Sequence, residues 1–288
     1  MSKITNIFSI DLEDWYMGNE CIKVHQAQQF EQRIDYSTSK LLDMLAEFSV
    51  QATFFVLGFL AEKNKRLIRK IHAAGHEIAT HGYSHELVYN QSHDIFREEL
   101  KRSILGCEDI IGEAILGHRA SNWTITDKSL WALDILKESG IEYDSSIFPT
   151  KNYLYGIPGA PRYKFVFDNG LIEYPPSVAE VVGQRIPFSG GFYLRLFPYR
   201  FIKWAIEQIN SEGQPAVIYL HPWELDTEQP RRLPVPLKNR IIHYTNLNST
   251  ERKIRQLLKD FSFSSFTGQF QLTQSAADLK KVEQLQHA

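Results

Sequence analysis

Strand-like and helix-like segments alternate along most of this chain, and this alternation constrains the fold more than any other sequence feature. Residues 52–57 form an apolar run typical of a strand buried on both faces. Just before it, Leu41, Leu42, Leu45 and Phe48 recur at the spacing of one helix face. The alternation repeats about seven times, which predicts a parallel α/β architecture, either a barrel or a doubly wound sheet.

Polar side chains follow five of the predicted strands, and they favour the barrel. These residues are Asp11, His81, Arg119, Asp144 and His221. The carboxyl ends of barrel strands form a ring on one face, where side chains from several strands can converge on one site. In an open sheet, strands so widely spread would not converge. We therefore predict a distorted, seven-stranded (β/α) barrel.

The barrel is expected to form one domain over residues 1–266, followed by a polar C-terminal tail at 267–288. Residues 151–198 and 224–249 have the composition of elaborated loops.

His81 and His85 have the spacing of metal ligands. Their imidazoles can meet at one point if the backbone turns helically after Thr80. A hydrogen-bonded or solvated histidine pair is the alternative interpretation. Taken singly, the other polar residues also have structural interpretations, because Asp11 could cap a turn and His221 could be a buried, hydrogen-bonded imidazole.

Composition excludes several classes of protein. The formal net charge of −2 gives no general electrostatic basis for binding nucleic acid or an acidic membrane surface. Cys21 and Cys107 are the two cysteines, too few for a disulfide framework or a cysteine metal cluster. No segment reads as an export signal or as a membrane span. We therefore expect a cytoplasmic protein whose oligomeric state is open.

Five blocks of the sequence resemble the polysaccharide deacetylases with the NodB homology domain, carbohydrate esterase family 4. Residues 81–85 resemble the family's His-x-x-x-His metal motif, and residues 9–14 its acidic first motif. Arg119 stands at the position of the family's Arg-x-Pro motif, Asp144 matches the aspartate of the fourth motif, and His221 matches the last motif. The order and spacing agree over about residues 5–225, which is far more specific than any single block.

A narrower likeness connects the chain with the exosortase-associated polysaccharide deacetylases. It rests on residues 11–15, 54–58, 75–78, 221–224 and 243–247.

The resemblance implies a divalent metal held by His81, His85 and one carboxylate. Zinc is the expected metal, with cobalt or nickel as alternatives. Two adjacent residues compete for the third position. Strict strand alternation favours Glu13, which shares a side with Asp11. If the strand ends at Leu12, the geometry is free, and resemblance to the narrower group favours the shorter Asp14, which is our preferred ligand.

The family also implies roles for four catalytic residues. Asp11 accepts the proton of the attacking water, and Arg119 holds that carboxylate ionised. His221 donates a proton to the leaving nitrogen, while Asp144 raises the pKa of His221 so that the imidazolium persists. Ser121 stands where the family has proline, which weakens inference about the substrate groove.

Together these features predict a metal-dependent N-deacetylase that acts on an N-acetylated sugar of a polysaccharide or its precursor and releases acetate. With no export signal, we expect a lipid-linked or nucleotide-linked sugar of exopolysaccharide or O-antigen assembly. Two alternatives remain: hydrolysis of another C–N bond, as in a deformylase or an allantoinase-like enzyme, and an inactive carbohydrate-binding protein.

Aromatic residues offer faces on which a sugar ring could stack. Trp15, Trp123, Trp223 and the loop at residues 190–193 are the candidates. Packing in the core explains the three tryptophans equally well.

Overall fold

The computed structural model describes residues 4–18 and 22–270. Its centre is a sheet of seven parallel strands in the order β10, β1, β2, β3, β4, β5 and β7. These strands are β1 (Thr5–Leu12), β2 (Thr53–Val56), β3 (Glu77–Thr80), β4 (Gly117–His118), β5 (Tyr143–Asp144), β7 (Ile172–Glu173) and β10 (Val217–Leu220). Two further strands extend the sheet: β6 (Phe165–Val166) lies antiparallel to β7, and β11 (Ser262–Ser264) lies parallel to β1.

The central strands are buried on both faces, as their continuous apolar composition predicts. Phe8, Ile10 and Phe54 pack toward the helices that cover the outside. Ile7 and Phe55 belong to a smaller cluster on the inner face of the curled sheet. Successive residues of a strand point to opposite faces, so the odd positions of β1 point inward. This parity determines which polar side chains can meet.

Helices flank the sheet. They are α1 (Ile34–Glu47), α2 (Gly58–Lys63), α3 (Lys65–Ala73), α4 (His93–Ile111), α5 (Ala132–Glu138), α6 (Gly191–Leu196), α7 (Tyr199–Ser211), α8 (Leu237–Tyr244) and α9 (Leu247–Asp260). The longest, α4, is delimited by its sequence. The Ser92 hydroxyl accepts a hydrogen bond from the amide of Ile95 at its start, and Gly112 ends it at a φ of 75°.

The sheet curls into a half-barrel, and irregular chain connects its two edges. Between β7 and β10, the amide of Ser177 donates to the carbonyl of Val217, and Gly190 forms a parallel bridge with Tyr219. The same connection contains a hairpin of β8 (Val178–Val181) and β9 (Gln184–Pro187). The predicted distorted barrel with seven parallel strands is confirmed.

The stretches predicted as loops contain regular structure. Strands β6 to β9 and helix α6 fall in residues 151–198, and all of α8 lies within 224–249. The sequence predicts a strand at residues 172–174, which β7 confirms. The other elements are too short for hydrophobic periodicity to reveal.

Of the predicted tail, residues 271–288 lie outside the described residues, as does Cys21. Within the described ranges, no helix has both the length and the apolar composition needed to cross a bilayer.

Candidate active site

The pairing register of the sheet aligns one residue from each of strands β1 to β5 in a row across the sheet, which we call the common level. Leu12, Val56, Thr80, His118 and Asp144 pair in sequence across β1 to β5. The residues that follow this level therefore lie side by side at the carboxyl edge of the sheet. Four of them carry polar side chains on the inner face: Glu13, His81, Arg119 and Ser145.

Glu13, His81 and His85 form a buried cluster of potential metal ligands. The Oε1 atom of Glu13 lies 3.3 Å from Nε2 of His81 and 3.0 Å from Nε2 of His85. The Nδ1–H of His81 donates to the carbonyl of Arg119 at 2.7 Å, because a carbonyl can only accept. This tautomer leaves the lone pair on Nε2, the nitrogen that faces Glu13.

The loop after β3 brings the two imidazoles together without the predicted helical turn. Residues 81–87 are irregular, and the backbone reverses at Gly82 and His85, whose φ angles are 76° and 57°. Glycine adopts a positive φ without steric cost, whereas His85 does not. The unfavourable conformation of His85 is held by the surrounding contacts, including the one with Glu13.

Asp14, our preferred carboxylate ligand, lies elsewhere, and the structure corrects that assignment to Glu13. One oxygen of Asp14 accepts from the amide of Trp15 at 2.8 Å, and the other accepts from Arg33 at 2.9 Å and Ile34 at 3.3 Å. Strand parity continues past Leu12, so Asp14 points away from the inner face. Burial raises its pKa to about 6, although these three hydrogen bonds lower it.

The electrostatics of the cluster suit a cation. Burial alone would raise the pKa of Glu13, but His85, His221 and His81 outweigh burial and hold that pKa well below its ordinary value. Two imidazoles and one ionised carboxylate form a donor set that zinc takes in proteins, and tetrahedral bonds of about 2.0–2.1 Å would place ligand atoms roughly 3.3 Å apart. The 3.0 and 3.3 Å contacts of Glu13 fit that spacing.

Asp11 is fixed by a buried arginine. The Nη1 of Arg119 donates to Oδ1 of Asp11 at 2.6 Å and to the hydroxyl of Ser9 at 2.9 Å. Its Nε and Nη2 donate to the carbonyl and hydroxyl of Ser145. The guanidinium also lies 4.1 Å from the ring centroid of Phe55. Since Oδ1 is occupied, Oδ2 is the Asp11 oxygen available for proton transfer.

His221 completes the arrangement. The pairing of Ile10 with Leu220 brings the residue after β10 next to Asp11. Nε2 of His221 lies 3.9 Å from Oδ2 of Asp11 and 3.9 Å from Oε1 of Glu13. Burial lowers the pKa of His221, but Glu13, Glu224 and Asp11 together raise it to about 9. The imidazolium therefore persists at neutral pH.

The partner of His221 is Glu224, not Asp144. Nδ1–H of His221 donates to Oε1 of Glu224 at 2.7 Å, and Oε2 of Glu224 accepts from Nε of Arg195 at 2.7 Å. Both Glu224 and Arg195 are buried. Burial raises the pKa of Glu224, but Arg195 and His221 outweigh it and lower the value. Sequence reasoning missed both residues, although the three-residue spacing of His221 and Glu224 was a usable signal.

Asp144 lies on the opposite face of the sheet, which contradicts its predicted role beside His221. It belongs to the common level itself, together with His118 and Glu173, so its side chain points outward. Its Oδ1 accepts from Nδ1 of His118 at 2.7 Å and from the hydroxyl of Ser146 at 2.7 Å. Burial first, and then Asp144, raise the pKa of Glu173 well above its ordinary value.

A cavity of about 180 Å³ opens onto these groups. Asp11, Glu13 and His221 lie on its wall, and aromatic side chains form much of the remainder: Trp123, Tyr155, Phe192, Tyr193, Tyr219 and Trp223. Trp15 instead packs against Tyr16 and Phe30 in the core. The cavity is smaller than the roughly 300–1,000 Å³ of sites for drug-sized ligands, which suits a ligand of about one sugar ring.

Two family models match the chain in succession. Residues 26–143 match the model described as "Polysaccharide deacetylase". Residues 145–271 match a "Domain of unknown function (DUF3473)", which is consistent with the narrower resemblance to the exosortase-associated group. His81, His85 and Arg119 lie in the first region, whereas Arg195, His221 and Glu224 lie in the second.

Curated relatives match over part of their length. A chitooligosaccharide deacetylase of Rhizobium leguminosarum bv. trifolii is 28% identical over 111 residues, which cover 34% of this chain and 52% of that protein. A peptidoglycan-N-acetylglucosamine deacetylase of Bacillus cereus is 40% identical over 63 residues, or 22% of this chain and 23% of that protein. The chain spans less than two thirds of the length of the curated relatives it matches.

Solved structures share the fold over nearly the whole chain. A Mycobacterium smegmatis protein described provisionally as a polysaccharide deacetylase has a TM-score of 0.58 at 21% identity and covers 96% of both chains. The PuuE allantoinase has a TM-score of 0.58 at 16% identity, covering 90% of this chain and 85% of that one. At these identities the likeness extends to the fold alone.

Proposed function

The chain belongs to the polysaccharide deacetylase family (NodB, carbohydrate esterase family 4), and from this premise we propose that it is a metal-dependent N-deacetylase of N-acetylated sugars. It hydrolyses the acetamide and releases acetate and a free amine. The single observation that carries the proposal is convergence on one cavity: Glu13, Asp11 and His221 all lie on its wall. The relatives named chitooligosaccharide and peptidoglycan deacetylases support this substrate class.

Glu13, His81 and His85 would hold the metal, with zinc proposed before cobalt or nickel. When bound there, the cation supplies Lewis acidity and lowers the pKa of water. This assignment is supported by the buried donor set and by the hydrogen bond from His81 to the Arg119 carbonyl, which orients the free imidazole nitrogen.

Asp11 and His221 would carry the two proton transfers. Oδ2 of Asp11 accepts the proton of the attacking water, while Arg119 holds the carboxylate in place through Oδ1. His221, protonated at neutral pH, donates from Nε2 to the departing nitrogen as the C–N bond breaks. Glu224 orients that imidazolium through Nδ1. The proton gained by Asp11 and the one lost by His221 balance over the cycle.

For the biological substrate, we retain a lipid-linked or nucleotide-linked sugar of polysaccharide or O-antigen assembly. A cytoplasmic location also stays a prediction.

The reaction is tested by supplying zinc-loaded protein with an N-acetylated chitooligosaccharide and measuring acetate. We expect Asp11→Asn to lower the rate about 10²- to 10⁴-fold. Asp35→Asn, an exposed carboxylate on α1, is the matched control and should leave the rate unchanged. Melting curves should accompany the assay, because Asp11→Asn weakens a buried ion pair with Arg119.

Three outcomes would contradict the proposal. Release of formate from an N-formyl sugar, without acetate from the N-acetyl sugar, would indicate a deformylase. Ring opening of allantoin would indicate an allantoinase-like enzyme. Sugar binding without turnover in the zinc-loaded protein would indicate a carbohydrate-binding protein.

A further inference from the structure

One surface segment has a charge very different from that of the chain as a whole. Between Gln229 and Thr250 the sequence contains Arg231, Arg232, Lys238 and Arg240 but no acidic residue. All four cationic side chains are exposed. The segment is therefore a local positive patch on a chain whose overall net charge is −2.

The same segment exposes apolar side chains. Leu237 and Ile241 are 65% and 59% exposed, and their four-residue separation places them on one side of α8. Tyr153, which is 77% exposed, lies beside them, with Nζ of Lys238 5.2 Å from its ring centroid. We call residues 231–241 together with Tyr153 the docking face.

Helix α8 lies between this face and the catalytic cavity. Asn239, Ile242 and His243 point to the cavity, whereas Leu237 and Ile241 point to solvent. His243 also stacks on Trp223 at a centroid distance of 4.3 Å, and Trp223 stacks on His221. A surface bound at α8 would therefore lie next to the mouth of the cavity.

We propose that the docking face binds an anionic lipid bilayer, with Leu237, Ile241 and Tyr153 entering the headgroup region and the four cations contacting lipid phosphates. Apolar side chains interleaved with cations on a short helix are typical of interfacial binding, in which apolar burial and electrostatic attraction add. A second copy of the chain fits poorly, since a two-fold interface would oppose the same four cations. The inference rests on this surface and not on the proposed reaction.

The test is flotation of the full chain with vesicles of phosphatidylcholine alone and of phosphatidylcholine mixed with phosphatidylglycerol. We expect binding to the mixed vesicles only. Lys238→Gln combined with Arg240→Gln should weaken that binding roughly 30-fold, from a factor of about five per cation. Leu237→Gln combined with Ile241→Gln should weaken it roughly tenfold or more.

Two control variants match these changes. Arg66→Gln with Arg69→Gln removes two exposed cations from α3, and Val182→Gln replaces a 98% exposed apolar side chain at the β8–β9 turn. Both should bind like the original chain. The Leu237 and Ile241 variant should also keep its melting temperature and its rate on a soluble substrate, because neither residue lies on the cavity wall.

Several results would overturn the inference. They are equal binding to neutral vesicles, no binding to either kind, loss of binding in the α3 variant instead of the α8 variants, or concentration-dependent dimers that the α8 variants abolish. Capture of an acidic protein in the absence of vesicle binding would also reject the bilayer as partner.

Discussion

Glu13 and Asp14 are adjacent carboxylates with opposite surroundings. Glu13 contacts two imidazoles. Asp14 instead accepts hydrogen bonds from the amide of Trp15 and from the amides of Arg33 and Ile34 at the start of α1. One step along an extended chain reverses the side of the sheet to which a residue points. The same parity separates Arg119, which points to the inner face and binds Asp11, from Asp144, which points to the outer face.

Exchanging each carboxylate for its amide should separate these roles. We expect Glu13→Gln to weaken zinc binding by more than the roughly 10- to 100-fold typical of changes outside the ligand set. Asp14→Asn should retain zinc but lower the free energy of unfolding by about 1–3 kcal/mol, since an amide accepts fewer hydrogen bonds. Competition with a chelator and chemical denaturation measure the two effects. Zinc loss in Asp14→Asn, with Glu13→Gln unaffected, would reverse the assignment.

His221 should titrate far above an ordinary histidine in the metal-free protein. Because the pKa of folded His221 is raised to about 9, its protonated imidazole stabilises the folded state. This contribution to the free energy of unfolding is complete below about pH 6.5 and is lost as the pH rises through about 9. Glu224→Gln removes the carboxylate nearest to His221, which accepts from Nδ1 at 2.7 Å, so the pKa of His221 should fall toward 6.5. Asp144→Asn, a buried control, should leave it in place. Nuclear magnetic resonance titration of the imidazole measures both.

Glu224→Gln should also change the pH dependence of the reaction rate if His221 is the general acid. Loss of its proton stops donation to the leaving nitrogen, so the high-pH limb of the rate profile should shift to lower pH in Glu224→Gln. In the zinc enzyme, the bound cation offsets the charge of Glu13, which raises the pKa of His221 in the metal-free protein. The high-pH limb of the zinc enzyme should therefore lie below pH 9. An unchanged profile in Glu224→Gln would show that Glu224 does not act through His221.

At the scale of elements, β10 depends on a close contact with the chain that precedes α6. A side chain at Gly190 would place its Cβ 2.3 Å from the backbone oxygen of Tyr219. Backbone cannot yield as a flexible side chain can, so the contact requires glycine. This contact helps to position β10 and, one residue after its end, His221.

Two glycine substitutions test this contact. Gly190→Ala should lower the free energy of unfolding by about 1–3 kcal/mol because the backbone must shift. Gly106→Ala, at an open position within α4, should raise it by about 0.5–1 kcal/mol. Denaturant melts of both variants measure the difference. Equal effects would show that the Gly190 contact is not a constraint.

The strand pattern predicted much of the fold and part of the site. Continuous apolar runs revealed the central strands, and the residues after their ends included Asp11, His81, Arg119 and His221. Asp144 was misplaced because β5 has only two residues, too few for periodicity to show which face each occupies. Arg195 could not be found, since its contact with Glu224 joins α6 to the turn after β10 and depends on tertiary packing.

At the scale of the whole molecule, the site is assembled from both family-model regions and from the strand that precedes them. Glu13 and Asp11 come from β1 and the residue beyond it, His81 and His85 from the first region, and His221 from the second. The cavity therefore exists only when the curled sheet brings β1 between β2 and β10. Either region alone would lack part of the arrangement.

In the proposed mechanism, Glu13, His81 and His85 hold the cation beside Asp11 and His221. Anomalous diffraction at the zinc edge, from crystals of the full chain grown with zinc, tests it most directly. We expect one strong peak within bonding distance of Oε1 of Glu13 and Nε2 of His81 and His85, with Asp14 still accepting hydrogen bonds from its three backbone amides. A peak bound by Asp14, or no peak at this cluster, would contradict it.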